Sequence, residues 1–211
     1  ERVVIGRDTR TTGPLLAQAV AAGLRSVGCD VIDLDIVPTP TVAIAVKELA
    51  ARGGIMVSSS HNPSEWNALK FFSSDGRNVD QAQLDRVLEC YKKPPAGIHR
   101  VWDKVGGYCE NSGMLDVHRN RVLAAVNVAA IRKARIKVVI DCVNGAGSVL
   151  APRLLHDLGC DVIAIHDRLD LPFPRDPDPT ATNVKQLGAL VTAGHAHMGF
   201  VQDPDADRLA I

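Results

Sequence analysis

Two similar three-layer αβα domains, each with a mostly parallel sheet, are the α/β architecture that this 211-residue sequence predicts. Short apolar runs of strand length alternate with stretches of helical periodicity. The alternation stops at Lys92-Lys93-Pro94-Pro95-Ala96-Gly97 and resumes after Gly113. The two series also share a phrase, Val27-Gly28-Cys29-Asp30-Val31-Ile32 and Leu158-Gly159-Cys160-Asp161-Val162-Ile163, each leading out of a first helix into a second strand. That repeat suggests duplication.

In the first series, residues 3–6 read as a strand. The helix at 14–27 places Leu15, Leu16, Ala19, Val20, Gly23 and Val27 on one face, with Pro14 in the first turn, where a missing N–H costs little. A strand at 31–37, a helix at 41–51 and a strand at 54–57 complete a βαβαβ unit. Right-handed crossovers would lay its strands parallel, with helices on both faces. A strand at 69–72, a turn at Ser74-Asp75-Gly76 and a helix at 81–91 follow. The polar, weakly periodic stretch after Gly97 takes the domain boundary, dividing the chain into 1–105 and 106–211. The second series reads as a helix at 115–130, a strand at 135–141, a helix at 147–158, a strand at 161–165, a helix at 184–193 and a strand at 198–201. The first and last residues adjoin apolar strand-like runs, so both ends read as cut from something longer.

Composition narrows the function classes. Lys plus Arg number 24 and so do Asp plus Glu, so no net field recruits nucleic acid or an anionic membrane. No apolar run approaches the roughly 18 residues of a bilayer span. A soluble, cytoplasmic protein acting on a small molecule is expected, with no nucleic-acid and no membrane partner. Five cysteines without CxxC spacing read as reduced, buried thiols, neither a disulfide framework nor a zinc site.

In each series the third strand runs into a polar loop. Open parallel sheets bind ligands beyond the carboxyl ends of their strands, where both loops would lie. The first loop is Ser58-Ser59-Ser60-His61-Asn62-Pro63, with Lys70 on the returning strand. Serine, asparagine and Asn-Pro also make ordinary turns, so the string alone is equally a structural loop. Lys70 raises the chemical reading, since a lysine beside a hydroxyl can stabilise an oxyanion or move a proton. The second loop is Gln202-Asp203-Pro204-Asp205-Ala206-Asp207-Arg208. Three carboxylates on alternate residues of a tight loop repel one another unless a cation or several donors hold them. They therefore read as a hard-cation site for Mg2+ or Ca2+, or else as a solvated acidic turn. An EF-hand would need glycine where Arg208 stands and a helix before the loop, whereas apolar residues follow Arg208 and a strand precedes the loop. Serine and metal together point to phosphoryl transfer. No Walker-A or GxSxG string is present.

These motifs resemble those of the α-D-phosphohexomutase superfamily, the phosphoglucomutases, phosphomannomutases and phosphoglucosamine mutases. The resemblance rests on Ser58 to Pro63 with Asn67 and Lys70, on Asp203 to Arg208, on Gly6-Arg7-Asp8-Thr9-Arg10, and on Phe173-Pro174 through Asp178-Pro179 to Asn183. It implies interconversion of hexose 1- and 6-phosphates through a phosphoserine at Ser60 and a hexose 1,6-bisphosphate. On this resemblance Asp203, Asp205 and Asp207 hold Mg2+ with an oxygen of Ser60. Lys70 serves as general acid or base, and His61 assists proton transfer or orients the loop. Arg10, Asn62 and Arg208 are candidate contacts to substrate or phosphate, with an ion pair to a nearby aspartate as the alternative for Arg10. Pro204 and Ala206 stand where the family usually has glycine, which puts the loop geometry in question. The stretch from Glu65 to Phe72 looks closer to prokaryotic phosphoglucosamine and phosphomannomutase sequences than to the longer eukaryotic-type loop. Only the first two of the family's four domains are matched, so little or no mutase activity is expected of this chain alone. A non-catalytic sugar-phosphate or metal-binding fragment and a metal-dependent sugar phosphatase are the alternatives.

Overall fold

The computed structural model describes residues 1–211 as two α/β units in contact. The first runs β1 (Arg2–Arg7), α1 (Gly13–Ser26), β2 (Asp30–Ile36), α2 (Thr39–Glu48), β3 (Gly53–Val57), β4 (Leu69–Ser73), α3 (Gln81–Lys92) and β5 (Tyr108–Glu110). Strands β1, β2, β3 and β5 pair in parallel and β4 returns antiparallel to β3, giving the order β4-β3-β1-β2-β5. Because β5 pairs with β2, the first sheet extends past residue 105, where the sequence reading ended the first domain. That strand is three exposed residues with no apolar run to announce it.

Alternation along β1 sends successive residues to opposite faces of the sheet. Val4 joins Ile32, Leu34 and Met56 beneath Val42, Ala45 and Val46 of α2. Ile5 joins Val31 and Val57 beneath Ala17 and Ala21 of α1. The buried stripe of α1 is thus Ala17 and Ala21, flanked by Leu16, Val20 and Leu24, and Leu15, expected inside, lies 68% exposed. Two alanines allow that helix to sit close to the strands. On the other face Gly6 allows the same for α2, since a Cβ there would fall 2.6 Å from methyl carbons of both Val37 and Val42.

The second unit runs α4 (Met114–Ala125), α5 (Val128–Ala134), β6 (Lys137–Asp141), α6 (Ala151–Asp157), β7 (Asp161–Ile165), α7 (Lys185–Ala193), β8 (Met198–Gln202) and β9 (Leu209–Ala210). Its sheet has the order β7-β6-β8-β9, with β9 antiparallel to β8. Val139 and Val201 form its core with Leu187 of α7. The single helix read over 115–130 is two helices: Val126 turns extended, and the Asn127 side chain caps α5 by accepting from the Ala130 N–H at 3.0 Å. The helix read from 147 starts later, after a 3₁₀ turn at Ala146–Val149, because Ala146 is drawn toward the acidic loop through its N–H to the Pro204 carbonyl at 2.7 Å. The thiols were expected buried, but only Cys142 is; Cys90 and Cys109 are exposed, and all five are free. No helix is long and apolar enough to cross a membrane.

The two units share one plan. In each, the third strand lies beside the first, the second lies on the first strand's other side, and a short antiparallel strand flanks the third. The loop from β3 to β4 and the loop from β8 to β9 therefore occupy equivalent places, and these are the serine and aspartate loops.

Gly6→Ala should destabilise the fold by about 1–3 kcal/mol, since the new methyl overpacks the α2 contact. Urea denaturation checks this, with a midpoint shift at unchanged slope expected.

Candidate active site at the junction of the two units

The serine loop is built around a buried guanidinium. Arg10 is 3% exposed, and its backbone N–H and Nε both donate to the Asp8 carboxylate, at 2.9 and 3.1 Å. Nη1 donates to the carbonyls of Pro63 (2.6 Å) and Trp66 (2.8 Å), and Nη2 to those of Ser60 (2.6 Å) and Asn62 (2.7 Å). All five guanidinium donors are thereby committed to the loop and to Asp8. Of the two readings of Arg10, the ion pair to a nearby aspartate is the one seen, with Asp8, and the rest of the guanidinium frames the loop. Asn62 is likewise engaged inside it, with its amide on the Ser59 hydroxyl at 3.1 Å. Burial pushes the Asp8 carboxyl above its ordinary value, against the lowering by the Arg10 N–H, the Ser58 hydroxyl and the Arg10 charge.

This frame holds Ser60 at φ 51, in the left-handed region. A non-glycine residue there costs about 1–2 kcal/mol. The Ser60 N–H donates to the Ser58 hydroxyl at 2.9 Å, and that hydroxyl donates to Asp8 at 2.7 Å. So constrained, the Ser60 hydroxyl crosses to the other unit and donates to Asp203 Oδ2 at 2.7 Å. His61 lies beside it, Nδ1 3.5 Å from the same oxygen.

Asp203, Asp205 and Asp207 each offer a carboxylate oxygen within 4.8 Å of the others, and the first two are buried. Burial, followed by the charge of Asp205, pushes the Asp203 carboxyl up to about 7, while the Ser60 hydroxyl opposes the rise. Lys70 reaches in from β4, with Nζ 2.6 Å from Asp205 Oδ2 and 2.8 Å from Asp207 Oδ2. Burial alone would lower the Lys70 pKa, but the Asp205 charge and the hydrogen bonds to Asp205 and Asp207 outweigh it and raise it. Lys70 therefore stands as an ammonium clamped between carboxylates.

One ammonium faces three carboxylates. Asp205 Oδ1 is buried without a hydrogen-bond partner, so the loop presents an oxygen that nothing in the chain satisfies. An all-oxygen donor set with one such orphan suits a hard divalent cation, so these residues fit a metal. Arg208 fixes Asp203 through its own N–H, at 3.1 Å from Oδ1. Its guanidinium stays half exposed beside Asp207 at 4.0 Å, open to an anion.

The structure thus gathers Ser60, His61, Lys70 and the three aspartates in one place, with Arg208 at the edge. Sequence reasoning missed Thr39, whose hydroxyl donates to Asp205 Oδ2 and whose N–H donates to the Asp205 carbonyl at 2.9 Å. The signal was available: Thr39 lies between two prolines at the carboxyl end of β2, the ligand-facing end of the sheet. It also missed the seam that aligns the units, where the Thr9 hydroxyl donates to the Asn144 carbonyl at 2.7 Å and Phe173 packs 5.3 Å from the Arg10 guanidinium carbon.

Family profiles described as phosphoglucomutase/phosphomannomutase, alpha/beta/alpha domain I and domain II, match residues 1–96 and 116–211. The chain belongs to the phosphoglucomutase/phosphomannomutase family. It is 38% identical over 208 residues to a Thermococcus kodakarensis protein named phosphoglucomutase/phosphomannomutase, covering 98% of this chain and 45% of that protein. It is 34% identical over 214 residues to a phosphoglucosamine mutase of Methanococcus maripaludis, covering 99% of this chain and 46% of the relative. A solved phosphoglucomutase/phosphomannomutase family protein of Burkholderia thailandensis superimposes with TM-score 0.81 at 31% identity, over 99% of this chain and 45% of that one. The chain thus spans about half the length of the relatives it matches.

Within this family member the two positions of the acidic loop where the resemblance led one to expect glycine differ in conformation. Ala206 adopts φ 54, the region glycine would occupy without strain, whereas Pro204 is buried and supplies its carbonyl to Ala146. The acidic loop closes with Pro204 and Ala206 in place, and of the two only Ala206 takes a left-handed conformation.

Arg10→Lys should destabilise the protein by roughly 3 kcal/mol, because an ammonium has three donors where the loop and Asp8 engage five. Thermal denaturation beside an Asp8→Asn, Arg10→Lys double variant checks it, with the two single losses expected to be non-additive.

Proposed function

We propose that a protein carrying this chain is a phosphohexomutase, which moves a phosphoryl group between Ser60 and the hydroxyls of a hexose phosphate. The observation that carries the reading is the 2.7 Å bond from the Ser60 hydroxyl of one unit to the acidic triad of the other. A serine held against three carboxylates is repelled as a phosphate acceptor unless positive charge is supplied, since a phosphoryl group adds about −1.5 to −2. Lys70 and Arg208 supply part of it. Mg2+ held by Asp203, Asp205, Asp207 and an oxygen of Ser60 would supply the rest, neutralising charge on the transferring phosphoryl group.

In the first half of the proposed cycle a hydroxyl of the hexose monophosphate attacks the phosphorus on Ser60. The bond to Ser60 Oγ breaks and a hexose 1,6-bisphosphate forms. The sugar hydroxyl loses its proton, with His61 the neighbouring group suited to take it. The departing Ser60 oxygen is protonated, with the Lys70 ammonium the available donor. Lys70 is clamped and charged, which supports acid over base for its resting role. The second half returns the other phosphate to Ser60, so the net change is isomerisation. The relatives named phosphoglucosamine mutase and phosphoglucomutase/phosphomannomutase support a hexose phosphate as substrate. We propose that interconversion of isomers belongs to the whole protein and phosphoryl exchange at Ser60 to this chain.

Incubation with a hexose 1,6-bisphosphate should add one increment of about 80 Da, located on Ser60 by peptide mass analysis and absent in Ser60→Ala. No increment would favour a binding module. Steady release of inorganic phosphate from sugar phosphates, without interconversion by the whole protein, would favour a phosphatase.

A further inference from the structure

We infer that Thr39 is a positioning residue for cation binding, reaching across the domain junction to fix Asp205 in its ligating orientation. The inference rests on the cation reading proposed above and adds to it a residue outside the acidic loop and the serine loop. Helix α2 begins at Thr39 without a side-chain cap, since Pro38 precedes it, and Pro40 in its first turn has no N–H to satisfy. The free N–H of Thr39 donates to the Asp205 carbonyl, so the acidic loop of one unit caps a helix of the other.

The Thr39 side chain completes the arrangement. Its hydroxyl and the Lys70 ammonium both bind Asp205 Oδ2, and Asp205 is fully buried. With Oδ2 doubly engaged, the carboxylate plane is set and Oδ1 is left as the orphan oxygen. Lys70 alone leaves freedom, because it is shared with Asp207 and its flexible stem can follow a rotating carboxylate. Thr39 cannot follow, being 7% exposed and anchored at the start of α2, whose Val42, Ala45 and Val46 lie in the core of the first unit. Partners that orient metal-binding carboxylates in this way typically contribute 10–100-fold to affinity.

The test titrates the full chain with Mn2+, following the electron paramagnetic resonance signal of the free ion, for wild type, Thr39→Val and Thr39→Ser. Melting temperatures are measured without metal. Thr39→Val should bind Mn2+ about tenfold or more weakly, and Thr39→Ser, which keeps the hydroxyl, should stay within about threefold of wild type. Binding by Thr39→Val within twofold of wild type would overturn the inference while leaving the cation reading intact. Should Thr39→Val fail to fold, a tenfold loss in a Thr39→Ser protein that melts like wild type would overturn it equally. Absence of Mn2+ binding by wild type would overturn the cation reading itself, and this inference with it.

Discussion

Three carboxylates held within 4.8 Å of one another repel, and the junction between the two units is arranged around that repulsion. Each is answered by a group from the other unit: Asp203 by the Ser60 hydroxyl, Asp205 by Thr39 and Lys70, and Asp207 by Lys70 again. The acidic loop could not close this tightly on its own unit alone, because its own donors are few. From within the loop only Arg208 reaches the triad, its N–H to Asp203 and its guanidinium 4.0 Å from Asp207. Contacts that neutralise the loop therefore also help to join the units, beside the seam of Thr9 with Asn144 and Arg10 with Phe173.

Local strain is stored on both sides of the junction. Ser60 and Ala206 take left-handed backbone conformations, as do Val143 and Asn144 in the neighbouring loop after β6. Each is disfavoured by about 1–2 kcal/mol for a residue with a side chain, and the surroundings must over-determine it. At Ser60 the restraint is visible in detail: Arg10 grips the carbonyl, Ser58 the N–H, and Asp8 grips both of those partners. The consequence is a hydroxyl aimed by its backbone, so little rotamer freedom is left to lose when a substrate arrives.

Much of this was legible in the sequence. The βαβαβ alternation and the shared Gly-Cys-Asp-Val-Ile phrase gave the two-unit plan, and the polar loops after the third strands located the site. What was not legible depended on contacts between segments remote in the chain. Arg10 could be read as an anion contact because its four carbonyl partners lie 50 to 56 positions away and leave no local pattern. Thr39 looked like an ordinary residue between prolines because its partner Asp205 lies 166 positions on. The break at Asn127 was hidden by apolar periodicity running through Val126, and β5 was too short and too exposed to carry a periodic signal.

The shared plan of the two units gives the arrangement a simple logic. Equivalent loops of two similar sheets face each other, one bearing a hydroxyl and the other carboxylates, so a proposed phosphoryl acceptor and its proposed cation are contributed by separate folding units. The most direct measurement of that claim is an anomalous difference map from crystals grown with Mn2+. The account predicts a single strong peak bounded by Asp203, Asp205 and Asp207, with the Ser60 oxygen in the same coordination sphere. A peak elsewhere, or one at the carboxylates with the Ser60 oxygen out of reach, would contradict it.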